Sequence, residues 1–341
     1  MAVSGFPDYE REFGGLDARS LLGYAVRHFH DNGGSQALVL RVTGIDGAAI
    51  APTDAAFVQA LNAAFATGGP VDRIGTFNLI CVPGLTDVAA TVMLQAQAEA
   101  RRAFLIADCA VAAQAATVAA SLAGKTGANA ANSALFFPWL MAPDSLQHGA
   151  PRAFPPSGFV AGMFARTARE VWKAPAGNAA TLVGATDLAT DVTEAESGPL
   201  AAQGINCLRK SGTSVVAPSA RTLAGSDAPE WKYVPVRRTA LFIEQSISGG
   251  TKWAAFEPNG EALWTRLRAS VDSFMDGLFR QRAFVGDTPR EAWFVKCDRA
   301  TTTQADIDRG VVNIVIGFAP LRPAEFVLIK IALLAGSNGP R

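Results

Sequence analysis

The chain has 341 residues, enough for two domains with proper cores, and its 49% hydrophobic and 18% charged residues exclude a disordered protein. Thirty basic residues balance thirty acidic residues, which argues against a nucleic-acid-binding protein, because such proteins normally carry a basic excess. A surface near zero net charge resists self-association only weakly, so the composition fits either an ordinary cytosolic protein or a subunit that assembles.

The cysteine spacing and the first residues give no sign of a disulfide-bonded or secreted protein. Cys81, Cys109, Cys207 and Cys297 show no C-x-x-C spacing, and each lies in or beside an apolar run, so we interpret them as reduced core residues. The N-terminus lacks the charge-then-apolar pattern of a signal peptide. No apolar run reaches about 18 residues, so we expect no direct membrane insertion.

In the first two thirds of the chain, short strands alternate with helices. The pattern predicts helices over residues 20–31, 54–65, 87–101, 109–122 and 157–169, and strands over residues 37–42, 77–82, 103–107 and 134–140. Such alternation favours a mainly parallel sheet that is covered on both faces. A hairpin is predicted around Ser211-Gly212, between residues 205–210 and 213–217.

The last third has a different pattern. It predicts helices over residues 235–247 and 260–282, with Asn259 as the cap of the second, and strands over residues 252–256, 291–297, 311–318 and 326–334. We therefore expect an α/β domain over residues 1–225, followed by an α+β domain over residues 226–341.

The terminal strand needs a partner. Lys330 is its one charge, so either face of residues 326–334 is mostly apolar. An open edge of this kind is an aggregation hazard. The strand therefore folds back on residues 311–318, is borrowed by another copy, or goes unpaired.

Residues suited to catalysis or metal binding are few. The histidines, His28, His30 and His148, form no i, i+4 pair, and the chain has no H-E-x-x-H or G-x-S-x-G motif, so we expect no metal and no cofactor. Gly124-Lys125-Thr126 resembles the end of a phosphate-binding loop, but Ala119 stands where the first glycine is required. We interpret this tripeptide as a helix end followed by a loop.

Two acidic residues follow predicted strand ends, where open α/β sheets place ligand sites. An α/β hydrolase-like enzyme that uses Asp87 and Asp108 is therefore an alternative function for the first domain. The competing interpretation is structural, with Asp87 at a helix start and Asp108 in a turn.

Eleven runs, one of them KCD at 296–298, are more specific, because none of them is a generic motif. The others are WKAPAGN at 172–178, GINCLR at 204–209, ARTLAG at 220–225, EWKYVPVRR at 230–238, FEPN at 256–259, LFRQ at 278–281, TPREA at 288–292, TTTQ at 301–304, GFAPL at 317–321 and PAEFV at 323–327. These runs, in this order, strongly resemble the contractile tail sheath family, which includes sheaths of phages, related bacteriocins and injection systems.

The resemblance implies a subtilisin-like α/β domain and a C-terminal domain that faces an inner tube. It implies a structural, non-enzymatic subunit whose contraction drives the tube through a target envelope. The implied partners are other copies in helically stacked hexameric rings, the inner tube protein, and the baseplate and tail terminator proteins. The particle would be a virion tail or a related contractile machine assembled in the bacterial cytoplasm. A scaffold or baseplate protein with the sheath fold is a further alternative.

The resemblance also implies functional residues, because sheath subunits exchange an N-terminal arm and a C-terminal strand with their neighbours. The strand-exchange candidates are Phe326, Val327, Leu328, Ile329, Lys330 and Ile331. The charged candidates for facing the tube or a neighbour are Lys232, Arg237, Arg238, Arg266, Asp272, Asp276 and Arg280.

Family members usually begin with the arm, whereas Met1 here comes only a few residues before the family's phenylalanine-rich region at residues 6–13. We therefore expect this chain to lack the arm and to be monomeric or weakly oligomeric by itself. Spontaneous long tubes at micromolar concentration, seen by light scattering, would contradict this expectation.

Overall fold

A computed structural model describes residues 1–44, 47, 50–175, 177–218, 220–321 and 327–336. The chain divides into two compact units, Met1–Val234 and Pro235–Arg341. The boundary that we place after residue 225 from the sequence stays a prediction. Within the described residues, none of the helices combines the length and the apolarity that a membrane crossing requires.

The first unit contains six helices and twelve strands among the described residues. In chain order they are β1 (Ala2–Val3), α1 (Phe6–Phe13), α2 (Leu21–Asp31), β2 (Ala37–Leu38), α3 (Ala55–Phe65), β3 (Leu79–Cys81), α4 (Val88–Ala100), β4 (Phe104–Asp108), β5 (Ser133–Phe137), β6 (Leu140–Asp144), β7 (Ala150–Phe154), α5 (Ser157–Arg166), β8 (Thr181–Leu182), β9 (Asp187–Leu188), α6 (Glu194–Ala202), β10 (Ile205–Cys207), β11 (Arg209–Ser211) and β12 (Ser214–Val216).

A four-stranded parallel sheet lies at the centre of this unit. Its strand order is β10-β5-β4-β3, and every residue of β4 and β5 is buried. Helices cover both faces. Leu105 packs with Leu94 of α4, whereas the ring of its neighbour Phe104 contacts Phe164 of α5 at a centroid distance of 6.5 Å. Because successive side chains of a strand point to opposite faces, α4 and α5 lie on opposite sides of the sheet.

The remaining strands of the first unit form smaller sheets, β1-β2, β7-β6-β9 and β11-β12-β8. Outside them, α2 packs closely on α5. A Cβ on Gly158 would lie 2.7 Å from the carbonyl oxygen of Ala25, so glycine is required for this approach. The mixed α/β class and the parallel sheet predicted from the sequence are confirmed.

The second unit is a helix-and-sheet structure. In chain order it contains α7 (Val234–Gly250, which starts one residue before the unit), α8 (Glu261–Arg280), α9 (Pro289–Ala292), β13 (Trp293–Lys296), α10 (Gln304–Asp308), β14 (Val311–Phe318) and β15 (Val327–Leu334). Helix α8 packs against β13, and its buried residues lie on one stripe, including Leu263, Leu267 and Val271.

Three of the predicted elements are wrong. In place of the alanine-rich helix over 109–122 there is only a 3₁₀ turn, Val118–Leu122, preceded by a turn in which Gln114 donates its N–H to the hydroxyl of Thr117. The predicted strand over 134–140 ends at Phe137, because Pro138 has no N–H to donate to a ladder. Residues Lys252–Phe256 form a 3₁₀ turn, not a strand.

Asn259 is also not the cap of α8. Gly260 occupies the cap position without a side-chain bond. Asn259 is instead buried, where it donates to the carbonyl of Val311 at 3.0 Å and accepts from the indole N–H of Trp264 at 2.9 Å.

Candidate functional site

Five of the strand-exchange candidates, residues 327–331, lie on the outer strand of the sheet in the second unit. This antiparallel sheet has the order β13-β14-β15. β14 and β15 pair over eight residues, from Val311 with Leu334 to Phe318 with Val327. Of the outcomes that the sequence leaves open, the terminal strand therefore takes the first and folds back on its own neighbour.

One face of β15 belongs to the core. It carries three directly opposed apolar pairs, Val327 with Phe318, Ile329 with Ile316 and Ile331 with Ile314. All six side chains are at most 5% exposed. Burial of such a side chain contributes about 1.5–3 kcal/mol, so these pairs hold β15 firmly in its own subunit.

A hydrogen bond just beyond β15 identifies which of its backbone groups point outwards. Ala335 donates its N–H to the carbonyl of Gly310 over 2.7 Å, which makes these residues a hydrogen-bonded pair. In an antiparallel ladder such pairs recur at every second residue. The odd-numbered residues of β15 therefore bond to β14, and the even-numbered residues direct their N–H and C=O groups to the outer edge. The outward-facing residues are Leu328, Lys330, Ala332 and Leu334.

This edge is long, apolar and open. Leu334 is 73% exposed and Leu328 is 60% exposed. In the part of the chain that the structure describes, no strand pairs with β15 on its outer side. Natural edge strands are usually shortened, bulged, or protected by proline and charge, but β15 has no proline and its one charge is Lys330.

The open edge ends at a defined point. Gly336 donates its N–H to the carbonyl of Glu257 over 3.0 Å, and Pro258 forms a parallel bridge with Gly336. Next to Glu257, the ring of Phe256 is 90% exposed. The Glu257 carboxylate accepts from Arg266 at 2.9 Å, and the Arg266 guanidinium lies 4.5 Å from the ring centroid of Trp253.

The strand-exchange candidates from the sequence divide into two groups. Val327, Ile329 and Ile331 bond to β14, whereas Leu328 and Lys330 lie on the open edge. Phe326 lies outside the described residues. The sequence analysis missed Ala332, Leu334 and Phe256, although the period-2 alternation of the strand could have identified the first two.

The charged candidates also differ in their surroundings. Lys232 is exposed, with its ammonium 5.7 Å from the ring centroid of Tyr233. Arg237 forms a 3.2 Å ion pair with Glu244 in which both side chains are less than 15% exposed. Arg238 is only 8% exposed, and burial lowers its pKa to about 10. Arg238 is therefore buried in this chain, and its assignment as a tube- or neighbour-facing residue stays a prediction.

On α8, Arg266 is exposed, and Asp276 and Arg280 form a 2.7 Å ion pair between adjacent turns. Asp272 is half-buried, and desolvation raises its pKa, an effect that Arg268 partly offsets. The structure therefore does not gather the charged candidates of α8 into a patch of one sign.

The carboxylates considered for the enzyme alternative have structural partners. Asp87 caps α4 by accepting the N–H of Ala90 at 2.7 Å. Asp108 is buried at the end of β4, where it accepts from the N–H of Gly84 at 2.9 Å and from both the N–H and the hydroxyl of Ser157 at 3.0 and 2.7 Å. Desolvation raises the pKa of Asp108 to about 6, against the lowering effect of these bonds.

The Gly124-Lys125-Thr126 segment is not arranged to hold phosphate. Lys125 is buried, and its ammonium donates to the carbonyl of Thr86 at 2.8 Å. Burial lowers the pKa of this lysine. Among the described residues, no group of three or more histidine, cysteine, aspartate or glutamate side chains is placed to hold a metal ion.

The second unit also has a cleft of about 340 Å³ between the start of α8 and the loop after β13. Its walls include the ion pair between Arg299 and Glu261, at 2.9 Å, and Arg268, which donates to the carbonyl of Cys297 at 3.1 Å. Because its charges already pair across the cleft, it offers no distinct ligand chemistry.

Comparison with known proteins finds a family match in the second part of the chain and similar structures over most of it. Residues 226–333 match the family described as phage tail sheath C-terminal domain. The chain is 28% identical to the anti-feeding prophage (AFP) helical sheath in its contracted state, with a TM-score of 0.73 over 97% of this chain and 87% of that one. The second part of the chain therefore carries a phage tail sheath C-terminal domain, and the chain is similar to contractile sheath proteins over most of its length.

Two further structures are similar over most of the chain. The sheath complex of the extracellular contractile injection system PVC, in its contracted state, is 26% identical with a TM-score of 0.75, over 96% of this chain and 85% of that one. A chain of the six-fold symmetrised AFP baseplate is 27% identical with a TM-score of 0.70, over 97% of this chain and 87% of that one. A search of curated protein sequences found no match.

The sheath protein is thus a structural subunit of a contractile machine and not an enzyme. This is consistent with the roles of Asp87 and Asp108, which hold a helix start and the loops at the end of the parallel sheet.

Proposed function

We propose that this sheath protein surrounds an inner tube in stacked hexameric rings, and that contraction of the rings drives the tube through a target envelope. Support comes from the similarity to contracted sheath structures and to a six-fold symmetrised baseplate structure. The proposed partners are other copies, the tube protein, and the baseplate and tail terminator proteins. The proposed place of assembly is the bacterial cytoplasm.

We propose that neighbouring copies are linked by strand pairing at the outer edge of β15. The observation that carries this proposal is the row of outward N–H and C=O groups along an eight-residue edge that no described strand covers. A strand from a neighbouring copy would extend the sheet by addition at this edge. Since β15 is held in its own subunit by its core pairs, the added strand supplies the link.

The strength of one such link follows from opposing terms. Four outward residues offer about eight hydrogen bonds, each worth about 0.5–1.5 kcal/mol net. Ordering about eight residues of an incoming strand costs about 1–2 kcal/mol each, which offsets most of that gain. Apolar contacts must therefore add to the hydrogen bonds, and a stable sheath needs the link to be repeated along the helix.

Two finer assignments accompany this proposal. We take the parallel sheet of the first unit as the core of a subtilisin-like sheath domain, with the second domain starting near residue 226, where the family match begins. Lys232, Arg266 and Arg280 are exposed and are our candidates for facing the tube or a neighbouring copy.

Proline substitutions test the strand link. Leu328→Pro with Ala332→Pro removes two outward N–H groups and leaves every bond to β14 in place, because prolines are tolerated on a free edge. The matched control, Ile329→Pro with Ile331→Pro, removes two bonds to β14. Self-association is measured by sedimentation equilibrium from micromolar to millimolar protein, and folding is measured by urea unfolding.

We expect the outward pair to keep the stability of the wild type and to lose self-association, whereas the inward pair loses stability. Unchanged association in the outward pair would contradict the strand link, and so would a wild type that stays monomeric over the whole concentration range.

A baseplate protein with the sheath fold is a second candidate, favoured by the similarity to a chain of the AFP baseplate structure. Electron microscopy of the source particle, with antibody against this chain, distinguishes the two functions. Label along the whole tail supports the sheath, and label confined to one end supports the baseplate protein.

A further inference from the structure

The segment Glu257–Pro258 occupies the place of a fourth strand beside the end of β15. Successive residues of a strand direct their N–H groups to opposite sides. Since the N–H of Ala335 bonds to Gly310, the N–H of Gly336 points to the outer side, where the Glu257 carbonyl accepts it. An incoming strand can therefore pair with the outward residues from Leu328 to Leu334 and must stop before Gly336.

Phe256 lies where this stop meets the open edge. Pro258 forms a parallel bridge with Gly336, which places this segment beside the end of β15. Phe256 directly precedes Glu257, whose carbonyl accepts from Gly336, and the 3₁₀ turn Lys252–Phe256 contacts β15, so Phe256 lies near the end of that strand. Phe256 and Leu334 are the two most exposed large apolar side chains that the structure describes, at 90% and 73%.

The position of Phe256 is held by side chains around it. Glu257 is tied to Arg266 at 2.9 Å, and Arg266 packs over Trp253. The backbone N–H of Glu257 also donates to the carbonyl of Ala254 at 3.1 Å, which closes the turn. A fully exposed aromatic ring on a turn fixed in this way gains nothing for the isolated subunit, because the ring buries almost no area there.

We propose that Phe256 is the apolar anchor for the strand that a second copy adds to β15, with Glu257–Pro258 as the stop that sets the register of this strand. This inference rests on the strand link proposed above. The occupant is a strand, because the edge offers a row of backbone donors and acceptors. Its length is set by the edge from Val327 to Leu334, and its side chains near Phe256 and Leu334 are apolar.

The anchor is tested by Phe256→Ser in the self-association assay. We expect an association constant at least about 10-fold weaker than the wild type, with unchanged urea unfolding of the isolated chain, because the ring is already exposed. Phe256→Leu should restore most of the association. Leu146→Ser, at an exposed leucine of the first unit, is the matched control and should leave association unchanged.

The stop is tested by hydrogen–deuterium exchange of the backbone amides. In the unassociated chain the Gly336 amide should be protected, whereas those of Leu328, Lys330, Ala332 and Leu334 exchange freely. On association these four become protected. A freely exchanging Gly336 would overturn the stop, and unchanged association of Phe256→Ser would overturn the anchor.

These outcomes are separable from failure of the strand link itself. If the outward proline pair loses association and Phe256→Ser does not, the link stands and the anchor is wrong. If the outward proline pair associates normally, the link is wrong, and any loss in Phe256→Ser then reports a different contact.

Discussion

The ring of Phe294 occupies the space beside the Cα of Gly317 on the neighbouring strand. The two residues are directly opposed in the β13–β14 pairing, and a Cβ added to Gly317 would overlap ring atoms of Phe294. We expect Gly317→Ala to lower the free energy of unfolding by about 1–3 kcal/mol, because the added methyl group forces the ring or the strands to move. Urea unfolding measures this change.

The double variant identifies the cause. In a Phe294→Ala background, Gly317→Ala should cost clearly less, since the clashing ring is gone. Equal costs in the two backgrounds would show that the loss comes from the backbone of Gly317 and not from its contact with Phe294.

Asn259 connects the loop before α8 to the central strand of the second unit. Its amide donates to the carbonyl of Val311, and its oxygen accepts from Trp264, with Asn259 only 2% exposed. Asn259→Ala leaves the Trp264 N–H and the Val311 carbonyl without this partner, at about 1–3 kcal/mol for each buried group. We expect a loss of about 2–4 kcal/mol in urea unfolding. Unchanged stability of Asn259→Ala would contradict this assignment.

The sequence predicted β14 and β15 well because both have signals that local chemistry sets. β-branched residues and flanking glycine and proline favour strands, and the alternation of buried and exposed residues in β15 follows from a sheet with one face on the core. Which residues of β15 bond to β14 could not be predicted in this way. It depends on the pairing of Ala335 with Gly310, which lies 25 residues earlier in the numbering and carries no local signal.

Other errors have a similar cause. Alanine propensity predicted a helix over 109–122, but propensity is a weak preference that tertiary structure overrides, and most of residues 110–117 are exposed and have no core to pack against. Residues 252–256 have strand-like composition, yet they form the turn that presents Phe256. The burial of Arg238 also could not be read from its charged neighbours.

His28 should make the fold sensitive to acid. It is 7% exposed and stacks on Phe159 at a centroid distance of 3.8 Å, and burial lowers its pKa from 6.5 to about 3. A lowered pKa means that the unfolded chain binds the proton first, so stability is lost as pH falls from 6.5 towards 3. At pH 5 the loss should be about 2 kcal/mol relative to pH 7. In His28→Leu this loss should be absent, as measured by urea unfolding at both pH values; an equal loss in the variant would refute the assignment.

Asp108 should change the stability with pH in the opposite direction to His28. Its pKa rises from 3.8 to about 6, so the folded chain binds the proton more tightly than the unfolded chain. Its contribution to stability is therefore present below about pH 4 and is lost as pH rises through 6, a change of roughly 2 kcal/mol. Asp108→Asn cannot ionise, so the difference in unfolding free energy between wild type and variant should shift by this amount between pH 4 and pH 7.

The direction of that shift separates burial from hydrogen bonding as the dominant influence on Asp108. The carboxylate accepts three hydrogen bonds from Gly84 and Ser157, and such bonds favour the ionised form. If these bonds outweighed desolvation, the stability of the wild type relative to Asp108→Asn would increase as pH rises. We expect the stability of the wild type relative to Asp108→Asn to decrease as pH rises. Asp108 is only 2% exposed, and its three neutral donors do not replace the lost water. Ser157→Ala removes one of the three donors and should raise the pKa of Asp108 further, which would move the transition in the pH profile to higher pH.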